Sequence, residues 1–200
     1  MFHIYQKAKN NSRRTIVLLH GTGGDEYDLL PLATYYDEDA AVISLRGMVQ
    51  EQGMNRFFKR LSAGVFDEED LMSRTDEFQK FLETIFQQYE LDLSLAVLVG
   101  YSNGANLIAS YLLHVNTVVS HAILHHPMVP HCFILPDRQH TTNVLVLASD
   151  NDPIVPTHQT EELCTLLNKT NHQVTQYLFK HGHQLAPLET QAAKNWLLEG

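Results

Sequence analysis

The sequence predicts an α/β protein, one domain built on a mainly parallel sheet with helices on both faces. Three observations carry this. Short runs rich in Val, Ile and Leu alternate along the chain with longer segments whose apolar residues recur at helical spacing. Those short runs are apolar throughout rather than at every second residue, as in strands covered on both sides. Finally, 200 residues with 44% apolar content suffice for one substantial core, and no repeat or flexible linker divides them.

The first clear strand is 15–20, Thr-Ile-Val-Leu-Leu-His, which ends in the turn Gly21-Thr22-Gly23-Gly24. A helix over about 28–36 and a strand over 40–45 follow. Residues 46–70 break the periodicity with Gly47, Gly53, Gly64, the cluster Arg56-Phe57-Phe58-Lys59-Arg60 and the acidic run Asp67-Glu68-Glu69-Asp70, and read as a long loop or lid. From Leu71 to Tyr89 apolar residues keep to one face of a long helix, and the acidic run before it suits a helix N-terminus. Strand 95–99 leads through a glycine-flanked turn into a helix over 105–114. Strands are expected at 119–125, 143–148 and 174–179, and helices near 158–168 and 188–198.

Composition bounds the partners. With 14 basic and 23 acidic residues the formal net charge is −9, a field that repels phosphate backbones and anionic membrane surfaces. Neither nucleic acid nor a membrane is therefore expected as a partner. No run of about 18 apolar residues occurs, and residues 1–7 lack a basic lead and apolar signal core, so a cytoplasmic setting is expected. Cys132 and Cys164 have no Cys-x-x-Cys spacing and point to reduced thiols, not to a disulfide framework or thiolate zinc site. Twelve histidines raise the question of a metal. His121 and His125 have helical ligand spacing, but they fall in a run that reads as a buried strand, and no metal is expected.

The chemistry concentrates after the strands. A serine hydroxyl becomes an effective nucleophile when a base removes its proton and a carboxylate orients that base. In Gly100-Tyr101-Ser102-Asn103-Gly104, small residues two positions either side of Ser102 let a strand-to-helix turn fold tightly beneath it. A chain with 10 glycines is expected to show such a pattern by chance only about 0.02 times. Asp150 and Asp152 follow strand 143–148; Asp152 is favoured as the acid because Pro153-Ile154-Val155-Pro156 directly follows and fixes the loop, with Asp150 bracing it. Read alone, both are ordinary Asx-turn residues. For the base, His183 is favoured over His181 because Gly182 permits a tight backbone approach. The nucleophile, acid and base then stand in the chain order that α/β-hydrolases require, with the amides of Thr22 and Asn103 as oxyanion donors. A phosphate-cradle reading of the 21–24 loop lacks the Gly-Lys-Ser/Thr it would need. His20, Ser102, His125, Asp152 and His183 each follow a strand, which puts them at the carboxyl edge of the sheet, where α/β folds bind ligands.

His20-Gly21-Thr22-Gly23-Gly24-Asp25-Glu26, the Ser102 turn, Asp152-Pro153-Ile154-Val155-Pro156 and Gly182-His183 together resemble the carboxylesterase, lysophospholipase and acyl-protein thioesterase group of small α/β-hydrolases, over nearly the whole chain. Arg46-Gly47, Gly53-Met54-Asn55-Arg56-Phe57-Phe58 and His125-His126-Pro127-Met128-Val129-Pro130 are similar to its bacterial quinone- and hydroquinone-resistance subgroup. The resemblance implies a reduced single-domain α/β-hydrolase fold over 1–200 and a cofactor-free serine carboxylesterase acting on a small ester. It implies Ser102 as nucleophile, Asp152 as acid, His183 as base, and Thr22 and Asn103 at the oxyanion hole. Many thioesterase relatives carry Gln-Gly-Gly after the serine; Asn103-Gly104-Ala105 stands here, which weighs against a protein-thioesterase role.

Substrate contacts are less defined. Arg56, Phe57, Phe58 and Phe66 could line an aromatic pocket beneath a lid, with Arg46 or Arg56 holding a substrate carboxylate; equally, they could be surface arginines beside core phenylalanines. His125 and His126 either border the site or are hydrogen-bonded structural histidines. The apolar residues of 46–70 could instead face a second copy in a homodimer. The competing class is a non-catalytic binding protein on the same fold, which has no chemical need of all three triad side chains.

Overall fold

A computed structural model describes residues 1–62, 64–130 and 139–199. Cys132 therefore lies outside the described residues. The chain opens with β1 (Phe2–Gln6), β2 (Thr15–Leu19), α1 (Leu30–Tyr36) and β3 (Ala41–Arg46). Two small hairpins follow, β4 (Val49–Glu51) with β5 (Met54–Arg56) and β6 (Arg60–Ser62) with β7 (Val65–Phe66). The remainder is α2 (Glu68–Gln88), β8 (Ala96–Tyr101), α3 (Asn103–His114), β9 (His121–His125), β10 (Asn143–Ser149), α4 (Thr157–Lys169), β11 (Gln173–Phe179) and α5 (Pro187–Glu199).

Among the described residues, seven strands form one sheet in the order β1-β3-β2-β8-β9-β10-β11. All neighbours are parallel except β1, which runs antiparallel to β3 at the edge. This is the α/β-hydrolase arrangement in reduced form. The apolar runs become strands buried on both sides: Val17 and Leu19 face one core and Ile16 and Leu18 the other. The first core is closed by α2, α3 and α4, through Phe78, Leu82, Leu112, Leu163 and others. The second is closed by α1 and α5, through Ala33, Tyr36, Ala193 and Leu197. The acidic run does more than precede α2, since Glu68, Glu69 and Asp70 form its first turn and Asp67 caps the amide of Asp70 at 3.1 Å.

The described residues of 46–70 hold two hairpins where the sequence predicts a long loop. Gln52 and Gly53 both have positive φ, 52° and 80°, and join β4 to β5 as a two-residue turn. Phe57, Phe58 and Phe66 then bury their rings in the first core. The chain leaves β2 toward β3 on one side and later returns to β8 on the other, so the ends of β2 and β8 flank the switch point of the sheet. Leu19 is paired there with Gly100.

Candidate active site

Ser102 sits between β8 and α3 in a conformation unusual for a residue with a side chain, φ 49° and ψ −108°. Such a backbone costs on the order of 1–3 kcal/mol and persists only where its surroundings enforce it. They do: the Ser102 amide donates to the His125 carbonyl at 2.8 Å, and the Gly104 amide donates to the His20 carbonyl at 3.1 Å. Gly104 backs so closely onto β2 that a Cβ there would run into the Leu19 carbonyl, and one on Gly100 would meet the backbone of Ala105. The two glycines are required by space, and the serine hydroxyl is thrown forward over the sheet edge.

His183 Nε2 lies 2.9 Å from Ser102 Oγ, and His183 Nδ1 lies 2.7 Å from Asp152 Oδ2. Asp152 is almost fully buried. Its other oxygen accepts from the amides of Ile154 at 2.8 Å and Val155 at 3.0 Å, so the Pro-Ile-Val-Pro segment orients it through amides as well as stiffness. Burial pushes the carboxyl up, but those amides and then His183 outweigh it and hold it ionised, below the ordinary range. The loop carrying His183 is braced by Ser149 Oγ, which accepts from the amides of His181 and Gly182. Gly182 has φ 73° with open space around it, so its role is conformational freedom. Asp150 pairs with Lys180 at the surface, 3.4 Å away.

Behind Asp152 lies a buried chain of polar groups. His126 Nδ1 is 3.0 Å from the same Asp152 Oδ2, and its Nε2 is 3.1 Å from Glu189 Oε2. Glu189 also accepts from His125 Nδ1, and His125 Nε2 is 3.0 Å from the Tyr36 hydroxyl. Burial raises the Glu189 carboxyl, yet His125 and His126 together hold it down to about 2. His126 thus bridges the two carboxylates, one on each ring nitrogen. His126 shares with Ser102 a positive φ at a strand end, 52°. His181 Nε2 lies 3.1 Å from Glu189 Oε2 without the angle of a hydrogen bond. His126 with His181 and Glu189, or with Asp152 and His183, gathers metal-type donors within 4.8 Å. Most of those donors are spent on one another, hydrogen to lone pair, so a cation would have to break that network.

A cavity of about 320 Å³ opens over Ser102 and His183. Thr22 and Asn103 line it, as do Arg56 and Arg60. Asn103 opens α3, where backbone N–H groups lack intrahelical acceptors. The Thr22 loop is stitched to β5: the Gly23 amide donates to the Asn55 carbonyl at 2.9 Å, Asn55 Nδ2 to the Gly24 carbonyl at 2.7 Å, and Arg56 Nη1 to Thr22 Oγ1 at 2.6 Å. From the other side, the Phe57 amide donates to Asn103 Oδ1 at 2.7 Å. His20 completes the brace, with Nδ1 on the Gly21 carbonyl and Nε2 accepting the Gly47 amide. Burial lowers its pKa, as that neutral tautomer needs.

The fold is shared with known proteins. Residues 2–199 match the family model described as phospholipase/carboxylesterase. The chain belongs to that family. It is thereby a carboxylic ester hydrolase. The chain is 44% identical to the putative hydrolase MhqD of Bacillus subtilis (strain 168), over all of this chain and 98% of that one. It superposes on the crystal structure of the Bacillus cereus carboxylesterase with a TM-score of 0.91, at 45% identity, covering 98% of this chain and 93% of the other. A structure of YahD with malic acid gives 0.92 at 30% identity, over 99% and 98%.

On this phospholipase/carboxylesterase frame, Ser102, Asp152 and His183 meet in one hydrogen-bonded line, and Thr22, Asn103 and Arg56 share the cavity wall. Other expected substrate contacts lie elsewhere. Phe57 and Phe58 are 2% and 0% exposed and do not border the cavity; their rings pack on His20 and Phe66. Phe66 does border it. Arg46 is tied to Glu26. His125 is sealed in the interior and His126 lies behind Asp152, both in hydrogen-bonded roles. Glu189, Tyr36 and Arg60 were not singled out from the sequence. Only Arg60 left a trace, as the last residue of the Arg56–Arg60 cluster.

Proposed function

We propose that this chain hydrolyses small carboxylic esters through an acyl-enzyme on Ser102. The supporting observation is the continuous line Ser102 Oγ, His183 Nε2, His183 Nδ1, Asp152 Oδ2, with separations of 2.9 and 2.7 Å at its two hydrogen bonds. In this reading Ser102 Oγ attacks the ester carbonyl as His183 Nε2 takes its proton, and Asp152 stabilises the resulting imidazolium. The carbonyl oxygen becomes an oxyanion facing the amides of Thr22 and Asn103. Collapse breaks the ester C–O bond, and the alcohol leaves with the proton from His183. A water then repeats the sequence on the acyl-serine and releases the acid. A cavity of about 320 Å³ stands near the lower end of small-molecule sites, which favours short esters over the long acyl chain of a lysophospholipid or an acyl-protein. The setting inferred is cytoplasmic and reducing, in keeping with the free, buried thiol of Cys164, which burial pushes up to about 11.

The test is turnover of p-nitrophenyl esters of increasing acyl length by wild type and Ser102→Ala, with fluorophosphonate labelling of both. A short-chain optimum and a label that disappears in the variant are expected. Undiminished activity in Ser102→Ala removes the serine mechanism, and folded wild-type protein that takes no label favours the binding-protein alternative.

A further inference from the structure

We infer that the ester this enzyme acts on carries a carboxylate, held beside Ser102 by Arg60 and Arg56. The inference rests on the hydrolase reading above and adds to it the charge of the substrate.

The cavity wall is unbalanced in charge. In a chain of net charge −9, two arginines line this cavity and, among the described residues, no carboxylate does. The acid that serves them is Glu51, outside the lining, and it is one for two. It accepts from Arg60 Nε at 2.8 Å and lies 3.2 Å from Arg56 Nε. Arg56 has only 5% of its side chain exposed, and spends Nε and Nη1 on the Phe58 carbonyl and Thr22. Arg60 is different. Only its Nε is engaged among the described residues, and 30% of its side chain is open. Burial and then the neighbouring Arg60 draw the pKa of Arg56 down against the pull of Glu51. Among the described residues, one positive charge on the wall that carries Ser102 is left uncompensated.

The wall is unbalanced in hydrogen bonding too. Asn103 Oδ1 is taken by the Phe57 amide and Asn106 Oδ1 by the Met128 amide, each at 2.7 Å. Both side chains line the cavity, and the end left over in each is the NH2 group. Asn103 Nδ2 is buried without a partner among the described residues, a costly state unless a ligand supplies an oxygen. Donors and cations thus stand on one wall, while Met54, Phe66, Met128 and Ile154 supply an apolar remainder. That lining fits a short hydrocarbon arm ending in a carboxylate, as in a half-ester of a dicarboxylic acid or an ester of a hydroxy acid.

Two substrate pairs measured by pH-stat on the full chain separate these sources. Monomethyl succinate against methyl pentanoate puts the charge on the acyl side; 4-acetoxybenzoate against phenyl acetate puts it on the leaving side. In one pair the carboxylate ester is expected to be preferred in kcat/KM by roughly tenfold, the scale of a charge-assisted hydrogen bond, and to lose that preference as salt rises. Arg60→Gln should abolish the preference, read as the ratio of kcat/KM for the carboxylate ester over its neutral partner within each pair; Arg60→Lys should retain part of it. Equal or better use of the neutral ester in both pairs overturns the proposal, as does a preference that survives Arg60→Gln. The hydrolase reading is judged separately, by whether neutral-ester turnover disappears in Ser102→Ala.

Discussion

Glu189→Gln perturbs the buried network at its far end while keeping side-chain volume and one acceptor. Glu189 has no exposed side-chain surface, and its carboxyl is held at about 2 against an ordinary value of 4.5. A carboxyl depressed on folding stabilises the native state above its unfolded value, and that contribution is lost as pH falls toward the folded one. The gap from 4.5 to about 2 converts to roughly 3 kcal/mol at neutral pH, of which about half is left at pH 3. The variant should therefore be less stable than wild type by roughly 3 kcal/mol at pH 7, and the difference should narrow steadily below pH 4.5. Urea unfolding of both proteins at pH 7, 5, 4 and 3 measures this. Trp196 is the single tryptophan and sits on α5 with Glu189, so its fluorescence reports the right element. Equal stability at pH 7, or a difference that stays constant down to pH 3, refutes the argument.

Asp152→Asn should lower kcat on p-nitrophenyl acetate by about 10⁴-fold with an unchanged circular dichroism spectrum, because the amide cannot hold His183 in the same tautomer; a loss under tenfold would contradict this. Gly104→Ala forces a methyl group toward the Leu19 carbonyl and should cost about 1–3 kcal/mol in urea unfolding and slow fluorophosphonate labelling of Ser102. Asn103→Ala leaves the buried Phe57 amide without an acceptor, a cost of about 1–3 kcal/mol read from thermal melts. Its backbone donor survives, so its kcat should stay well above that of Asp152→Asn.

The sheet was legible because its inner strands are apolar on both faces, a pattern that survives in one dimension. β1 escaped notice for the opposite reason. As an edge strand it pairs only with β3 and is mostly half-exposed, with Phe2 61% exposed, so Phe2–Gln6 shows no buried run. The β4–β5 hairpin had a readable signal in Gln52-Gly53, a two-residue turn with positive φ at both positions, which the surrounding charges obscured. That Ser102, Asp152 and His183 would come together was legible because each follows a strand in a fixed order. The place of Glu189 was not. In sequence it is an acidic residue in the first turn of a helix, indistinguishable from Glu68 or Glu69, and only the packing of α5 on the sheet presents it to His125 and His126.

The stitching of β5 to the Thr22 loop has a consequence for how this enzyme can diversify. Asn55, Arg56 and Phe57 are tied to Gly23, Gly24, Thr22 and Asn103, so any change there disturbs the proposed oxyanion donors along with the pocket. Arg60, Phe66, Met128 and Ile154 border the same cavity outside that stitching. New substrate ranges should therefore emerge from libraries at those four positions at little expense in turnover, whereas libraries across 55–57 should return mostly slow enzymes.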